Sequence, residues 1–251
     1  MMDTIAIPAA GYRFIPAVMQ YSAGVAALPG YRLERARFAD PVPLAEGWRR
    51  IAAFLDSIGR PRIAFAACEL RSPAPFTEEG FAQFNTGYAG TLGEWAVLHD
   101  GRNPVARSNV CPRHAPPVEP SFHAFCYTVP DPDAAPSFAV AGSGESAEGK
   151  GSYRENTIAH GDTSPEGMLR KGHWVLGEME RRMGLLGFGW AQTSGVQAYT
   201  VHPLPPALTA EIVIRGAARH GLTWQDCRPP VEGLDYEMDC RGIAVERVLP
   251  A

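Results

Sequence analysis

The tetrapeptide Pro-Pro-Val-Glu occurs twice, at 116–119 and 229–232, each time just ahead of the last strand-like run of a half-chain. Four matching residues say little alone. The order of elements around them also repeats, and repeated order constrains architecture because each copy builds its own supersecondary unit. In the first half, an apolar run at 17–27 carries a polar Gln20-Tyr21-Ser22 insert. Leu28-Pro29-Gly30 then predicts a hairpin turn into a return strand, Tyr31–Phe38. Trp48, Ile51, Ala52, Leu55 and Ile58 recur at helical spacing, and Gly59 marks the stop. Ile63–Leu70 reads as a buried strand. Thr77 with Glu78 and Glu79 opens a helix that shows Phe81, Phe84 and Tyr88 on one face. Val105–Val110 and Ser121–Val129 read as two more strands.

Residues 130–136 hold three prolines and no large apolar side chain, the composition of a linker. Beyond them come a strand (Ser137–Gly142), a Gly- and Ser-rich loop (142–152) and a helix (Met168–Met183). A strand (Gly195–Val201), a helix (Ala207–Ala218) and a closing strand (Leu234–Val248) follow. Both halves read β–α–β–α–β. The expected organisation is a tandem duplication, with domains 1–130 and 137–251 joined by 131–136.

The closing strand carries Glu237, Asp239 and Arg241 at alternate positions, so all three share one face. That face either meets solvent or lines a polar cleft. Arg228, just upstream, is held by Pro229 and Pro230, and a preorganised guanidinium suits a carboxylate.

Composition narrows the partners. A net charge of −4 without a Lys/Arg stripe argues against a nucleic-acid surface, and lysine occurs only at 150 and 171. No run approaches the ~18 apolar residues of a membrane span. The five cysteines are widely spaced and form no CxxC pair, so neither a zinc site nor a disulfide framework is expected. With no signal-peptide pattern in Met1–Phe14, the expected compartment is the cytoplasm. No P-loop or glycine-rich dinucleotide fingerprint is present, and no cofactor is expected.

Several stretches resemble the reactive-intermediate deaminase (Rid, or YjgF-like) superfamily. Gln20–Val25 is similar to the family's N-terminal proline-tyrosine-serine-glutamine-glycine-valine segment, with Gln20 in place of proline. Val105–Ser108 resembles its alanine-arginine-serine segment, whose arginine binds the substrate carboxylate, and Tyr236–Ala244 resembles its closing strand, whose glutamate orients water. The resemblance implies an α+β fold of two tandem YjgF/chorismate-mutase-like domains. Each is a mixed, mostly antiparallel sheet with two helices on one face. Because each sheet leaves a face uncovered, the resemblance also implies a homo-oligomer, a trimer in the family, unless the two halves pair within one chain.

Carried over by position, Tyr21 and Arg107 become pocket residues of the first half, and Arg228 and Glu237 the arginine and glutamate of the second. His123 stands where the first half's glutamate is expected. It is either a substitute catalytic group or, like His202, a satisfied structural histidine. Arg154 is a candidate for a ligand's second carboxylate or an ordinary surface arginine. Cys126 and Cys240 lie on terminal strands without an orienting triad, which favours burial over nucleophilic catalysis. The implied activity is metal-independent hydrolysis of an enamine or imine acid, 2-aminomuconate-like, with release of ammonia. A chorismatase-like enzyme and a non-enzymatic small-molecule sensor are the alternatives on the same fold.

Overall fold

The computed structural model describes residues 4–147 and 151–250, so residues 148–150 of the Gly- and Ser-rich stretch lie outside the described residues. The chain opens with β1 (Ile5–Ile7), β2 (Tyr12–Ile15) and β3 (Gly24–Ala27). It continues through β4 (Tyr31–Pro43), α1 (Leu44–Ser57), β5 (Phe65–Arg71), α2 (Glu78–Glu94), β6 (Ala106–Pro112) and β7 (Ser121–Pro130). After 131–137 come β8 (Phe138–Gly144), α3 (Tyr153–Asn156), α4 (Pro165–Leu185), β9 (Gly195–Tyr199) and α5 (Pro206–Ile214). The chain then forms β10 (Thr223–Gln225), β11 (Cys227–Arg228), β12 (Glu237–Gly242) and β13 (Val245–Leu249).

Local chemistry sets the helix limits. Thr77 caps α2 by accepting from the Gly80 N–H at 3.1 Å, and Ser164 caps α4 through Gly167 at 3.1 Å, with Pro165 at the first helical position. Gly59, just past α1, has φ +66°, the left-handed turn that glycine adopts at no steric cost.

The strands form a seven-stranded sheet, β1-β2-β3-β8-β12-β9-β10, and a six-stranded sheet, β11-β6-β5-β7-β4-β13. Four strands on either side of 131–136 follow the same plan, β4-β7-β5-β6 in one sheet and β8-β12-β9-β10 in the other. Directions match as well. First and last strands pair antiparallel, the last and second antiparallel, and the second and third parallel.

Two sequence expectations fail at the remaining strands. Leu28-Pro29-Gly30 does not close a hairpin: β3 pairs with β2 and β8 in the seven-stranded sheet, whereas β4 pairs with β7 and β13 in the other. All four β3 residues are buried and both edges of the strand are taken, so it serves as an interior strand. The closing run is likewise not one strand, because β12 and β13 lie in different sheets. Ser194 manages the crossing. Its Oγ accepts from the Ile243 N–H at 2.9 Å and donates to the Ile243 carbonyl at 2.8 Å, satisfying backbone that has left the ladder.

Helices cover the outer faces. Trp48, Ile51 and Leu55 of α1 and Tyr88 and Leu92 of α2 pack on Phe65, Phe122 and Phe125 of the six-stranded sheet. Met168, Val175, Met179 and Met183 of α4 and Leu208 and Ile212 of α5 cover the seven-stranded sheet. The inner faces meet each other through Tyr12, Phe14, Val25 and Ala139 on one side and Leu33, Ala67, Ala106 and Cys126 on the other. The fold is α+β. Each sheet covers the other's second face within one chain, so the uncovered-face reason for expecting a trimer does not apply. Among the described residues, no helix is long and apolar enough to cross a membrane.

Candidate active site

Arg107 lies on β6 and is buried against α2. Its Nη2 donates to Asn85 Oδ1 at 2.7 Å. The guanidinium carbon sits 4.7 Å from the Tyr88 ring centroid and 5.4, 5.6 and 5.7 Å from those of Tyr21, Phe84 and Phe81. Four aromatic faces and one amide oxygen thus hold a planar cation in a fixed orientation. Its Nη1 is buried with no partner among the described residues. Two residues on, along the same face of β6, Asn109 has the same character. Its Oδ1 accepts from Ser72 Oγ at 2.9 Å, which orients the amide and leaves Nδ2 buried and unpartnered among the described residues. Buried donors without acceptors are rare because each forfeits its hydration. Arg107 and Asn109, which carry two of them, line one pocket.

That pocket is open to solvent and amounts to about 440 Å³ of empty space when the open part is counted. Arg107, Asn109, Gly142, Phe81, Tyr153 and Glu237 are among the residues lining it. The carboxyl of Glu237 accepts no hydrogen bond from the described residues, although the residue is only 3% exposed. Burial pushes its pKa well above the usual 4.5; the nearby carboxylates of Asp239 and Glu145 push the same way, and Arg182 and Arg71 oppose. Burial thus favours the protonated form of Glu237, a carboxylic acid able to donate.

Buried charge behind the pocket fixes its frame. Glu145 accepts from the backbone N–H groups of Asp235 at 2.6 Å and Tyr236 at 3.0 Å, the two residues that lead into Glu237. Lys171, fully buried on α4, lies 3.1 Å from both Glu145 and Asp235. Asp239, next on the inward face of β12, receives Ser108 Oγ at 2.6 Å, Tyr199 OH at 2.9 Å and Gln197 Nε2 at 3.0 Å. The three side chains of this face meet different surroundings: Glu237 lines the pocket, Asp239 is buried between the sheets, and Arg241 bonds Glu246 at 2.6 Å at a partly exposed edge.

The structure brings together Tyr21, Arg107 and Glu237 of the residues singled out in the sequence, and leaves three outside the pocket lining. Arg228 is exposed on β11, where it pairs with Cys111, although its neighbours Pro230 and Val231 do line the pocket. Arg154 is exposed on α3, and the adjacent Tyr153 takes the place at the wall. His123 lies on β7 with Nε2 4.0 Å from Glu69, which Arg35 grips bidentately at 2.6 and 2.9 Å. Burial lowers the His123 pKa to about 3, helped by Arg71 and opposed by Glu69, so its imidazole is neutral. Cys126 and Cys240 are buried, and burial raises the Cys126 thiol to about 12. His202 makes a structural contact, Nε2 to Asp235 Oδ1 at 3.2 Å.

Sequence reasoning missed Asn85, Asn109, Gly142, Glu145 and Lys171. Two of these carried a signal. Asn85 falls on the helical face already marked by Phe81, Phe84 and Tyr88, and Lys171 interrupts the apolar stripe of α4 between Met168 and Val175.

Known proteins carry the same architecture. A solved chorismatase superposes with a TM-score of 0.56 at 11% identity, covering 96% of this chain and 79% of its own, a likeness of fold alone. The sequence is more specific. The chain belongs to the 2-aminomuconate deaminase CnbZ family, whose model matches residues 4–247. It is 50% identical over 251 residues to 2-amino-5-chloromuconate deaminase of Comamonas testosteroni, covering 99% of this chain and all of that one. It is an enzyme of that family.

Proposed function

We propose that the protein hydrolyses the enamine form of a 2-aminomuconate-like acid, releasing ammonia without a metal. The observation that carries this reading is that a buried Glu237 lines one pocket with Arg107 and Asn109, whose Nη1 and Nδ2 are unpartnered among the described residues, and burial favours the Glu237 proton. A substrate carboxylate accepts from both donors. Fixing that end holds the enamine carbon within reach of the acid, and orientation of this kind can supply several kcal/mol of barrier reduction, of the ~7–11 available in the best cases.

Glu237 first gives its proton to the enamine carbon, producing an iminium and a carboxylate. The carboxylate then takes a proton from water as the water oxygen bonds to the iminium carbon. Glu237 returns that proton to nitrogen and accepts the hydroxyl proton as the C–N bond breaks. Substrate and water leave as a 2-oxo acid and ammonia, and Glu237 ends protonated. A carboxyl with a raised pKa suits both turns of this exchange.

Ammonia release from 2-aminomuconate made in situ, with the spontaneous rate subtracted, tests the proposal. Chorismate in the same panel tests the alternative that the fold raises. Turnover of chorismate without ammonia release from aminomuconate would overturn the deaminase reading.

A further inference from the structure

Gly142 occupies an irregular point of β8. Met238 pairs with Ser143 and Cys240 with Val140, so Ala141 and Gly142 together stand opposite the single residue Asp239. A bulge of this kind bends its strand, re-aims side chains and frees backbone groups from the ladder. Arg182 of α4, almost fully buried, collects the carbonyls of Ala141 and Gly142 with Nη1 at 3.1 and 3.4 Å. Its Nη2 donates to Ser143 Oγ at 3.2 Å. The bulge is therefore held in place from the helix side.

Backbone conformation does not demand glycine here, since the φ of Gly142 is not positive. Space does. A Cβ at 142 would run into Glu237 Oε1, and would stand 3.1 Å from Glu237 Cδ and 3.2 Å from the Ser108 Cα. The first two atoms belong to the end of a side chain that can swing away. The third is backbone of the opposing sheet.

We infer that Gly142 is a positioning residue for Glu237. The bare Cα at the β8 bulge is the seat on which the carboxyl lies, and it fixes where the proton is delivered. The inference rests on the proposed role of Glu237. In this arrangement the carboxyl is not aimed by hydrogen bonds, for it receives none from the described residues. Its position comes from shape. The missing side chain at the bulge makes the recess, Oε1 lies against it, and Glu237 and Gly142 line the pocket together with Arg107 and Asn109. Aiming by shape leaves the carboxyl unclamped by donors, so it can exchange protons with substrate and water. A carboxylate clamped by donors, as Asp239 is, would give up that freedom.

A methyl group at 142 should displace Glu237 while leaving the carboxylate anchors intact. Gly142→Ala is expected to lower kcat about 10²-fold, the usual loss for a displacement near 1 Å, with little change in KM. Shortening the acid should then relieve the crowding. Glu237→Asp is expected to cost at least about tenfold less when combined with Gly142→Ala than when made in the wild-type chain, a non-additivity typical of residues in contact. Equal loss in both backgrounds would overturn the inference and leave Gly142 as a spacer between β6 and β8. Wild-type kcat in Gly142→Ala, alongside an inactive Glu237→Gln, would overturn it as well. Full turnover in Glu237→Gln instead sinks the catalytic role of Glu237. The seat itself is then judged by Tm: the penalty of Gly142→Ala should shrink when Glu237 is replaced by Ala. If Gly142→Ala and Gly142→Ala/Glu237→Ala are equally unfolded, contact with the Ser108 backbone is limiting and the seat is refuted.

Discussion

Arg107 and Glu237 line one pocket from two different sheets, the arginine on β6 of the six-stranded sheet and the glutamate on β12 of the seven-stranded one. The pocket exists because the sheets pack face to face, and Ser108 bonded to Asp239 at 2.6 Å ties the same two strands together one step away. Anything that shifts one sheet against the other moves anchor and acid apart.

Arg107→Lys should raise KM for a carboxylate substrate about tenfold or more, because an ammonium keeps the charge but not the planar fork that bonds Asn85 and a ligand at once. Arg228→Lys and Arg154→Lys, at exposed positions outside the lining, should leave KM unchanged. Steady-state kinetics on the three variants checks the assignment. Equal effects at all three positions would contradict it.

Glu237→Gln should keep the fold and lower kcat roughly 10²–10⁴-fold, the range of general acid–base help. The pH dependence carries a sign. The folded state holds the Glu237 proton more tightly than the unfolded chain, so wild-type stability declines as pH rises above the ordinary value of 4.5. Wild-type turnover should also fall once pH passes the raised pKa. Relative to wild type, Glu237→Gln should gain stability between about pH 5 and 8, read by urea midpoints. A constant difference across that window would show that Glu237 is not held protonated.

His123→Asn should leave turnover and its pH profile unchanged, since the imidazole lies outside the pocket. Stability should respond instead. With a folded pKa of about 3 against an ordinary 6.5, the unfolded chain binds the proton first, and wild type loses stability as pH falls from about 6.5 toward 3. The Asn variant should lose less across that interval in thermal melts. A fall in kcat of tenfold or more would return His123 to the mechanism.

Lys171→Met should destabilise the protein by about 3–5 kcal/mol at neutral pH, because it strands the fully buried carboxylate of Glu145. Burial raises the Glu145 pKa while Lys171 opposes the rise, so without the lysine Glu145 protonates more readily. The deficit should therefore shrink as pH is lowered. Denaturant titrations at two pH values check this, and a deficit that grows at low pH would contradict it.

The matching strand plans on either side of 131–136 support a further proposal, that the two units arose by duplication of one β–α–β–α–β ancestor. Superposing the Cα atoms of β4–β7 with their α1 and α2 on β8, β9, β10 and β12 with α4 and α5 tests it. Helices that fall on opposite faces of the two sheets would refute it.

Local sequence determined the elements with local causes. The caps at Thr77 and Ser164, the stop at Gly59 and the apolar stripes of α1 and α4 depend on neighbours three or four residues away, and all are legible in the chain. Arg107 could be placed by its short motif, and Glu237 by alternation on a strand. Which sheet each strand joins could not be read, because β3 and β12 look the same beside their sequence neighbours as they would across the sandwich. Partner choice was settled by burial of both strand edges and by Ser194 absorbing the crossing at Ile243. Tertiary structure alone decided that Arg228 and Arg154 point to solvent, that His123 is neutral beside Glu69, and that Asn109 and Gly142 share a pocket with Glu237. Those outcomes depend on distances between residues far apart in sequence, and only the stacking of two sheets sets them.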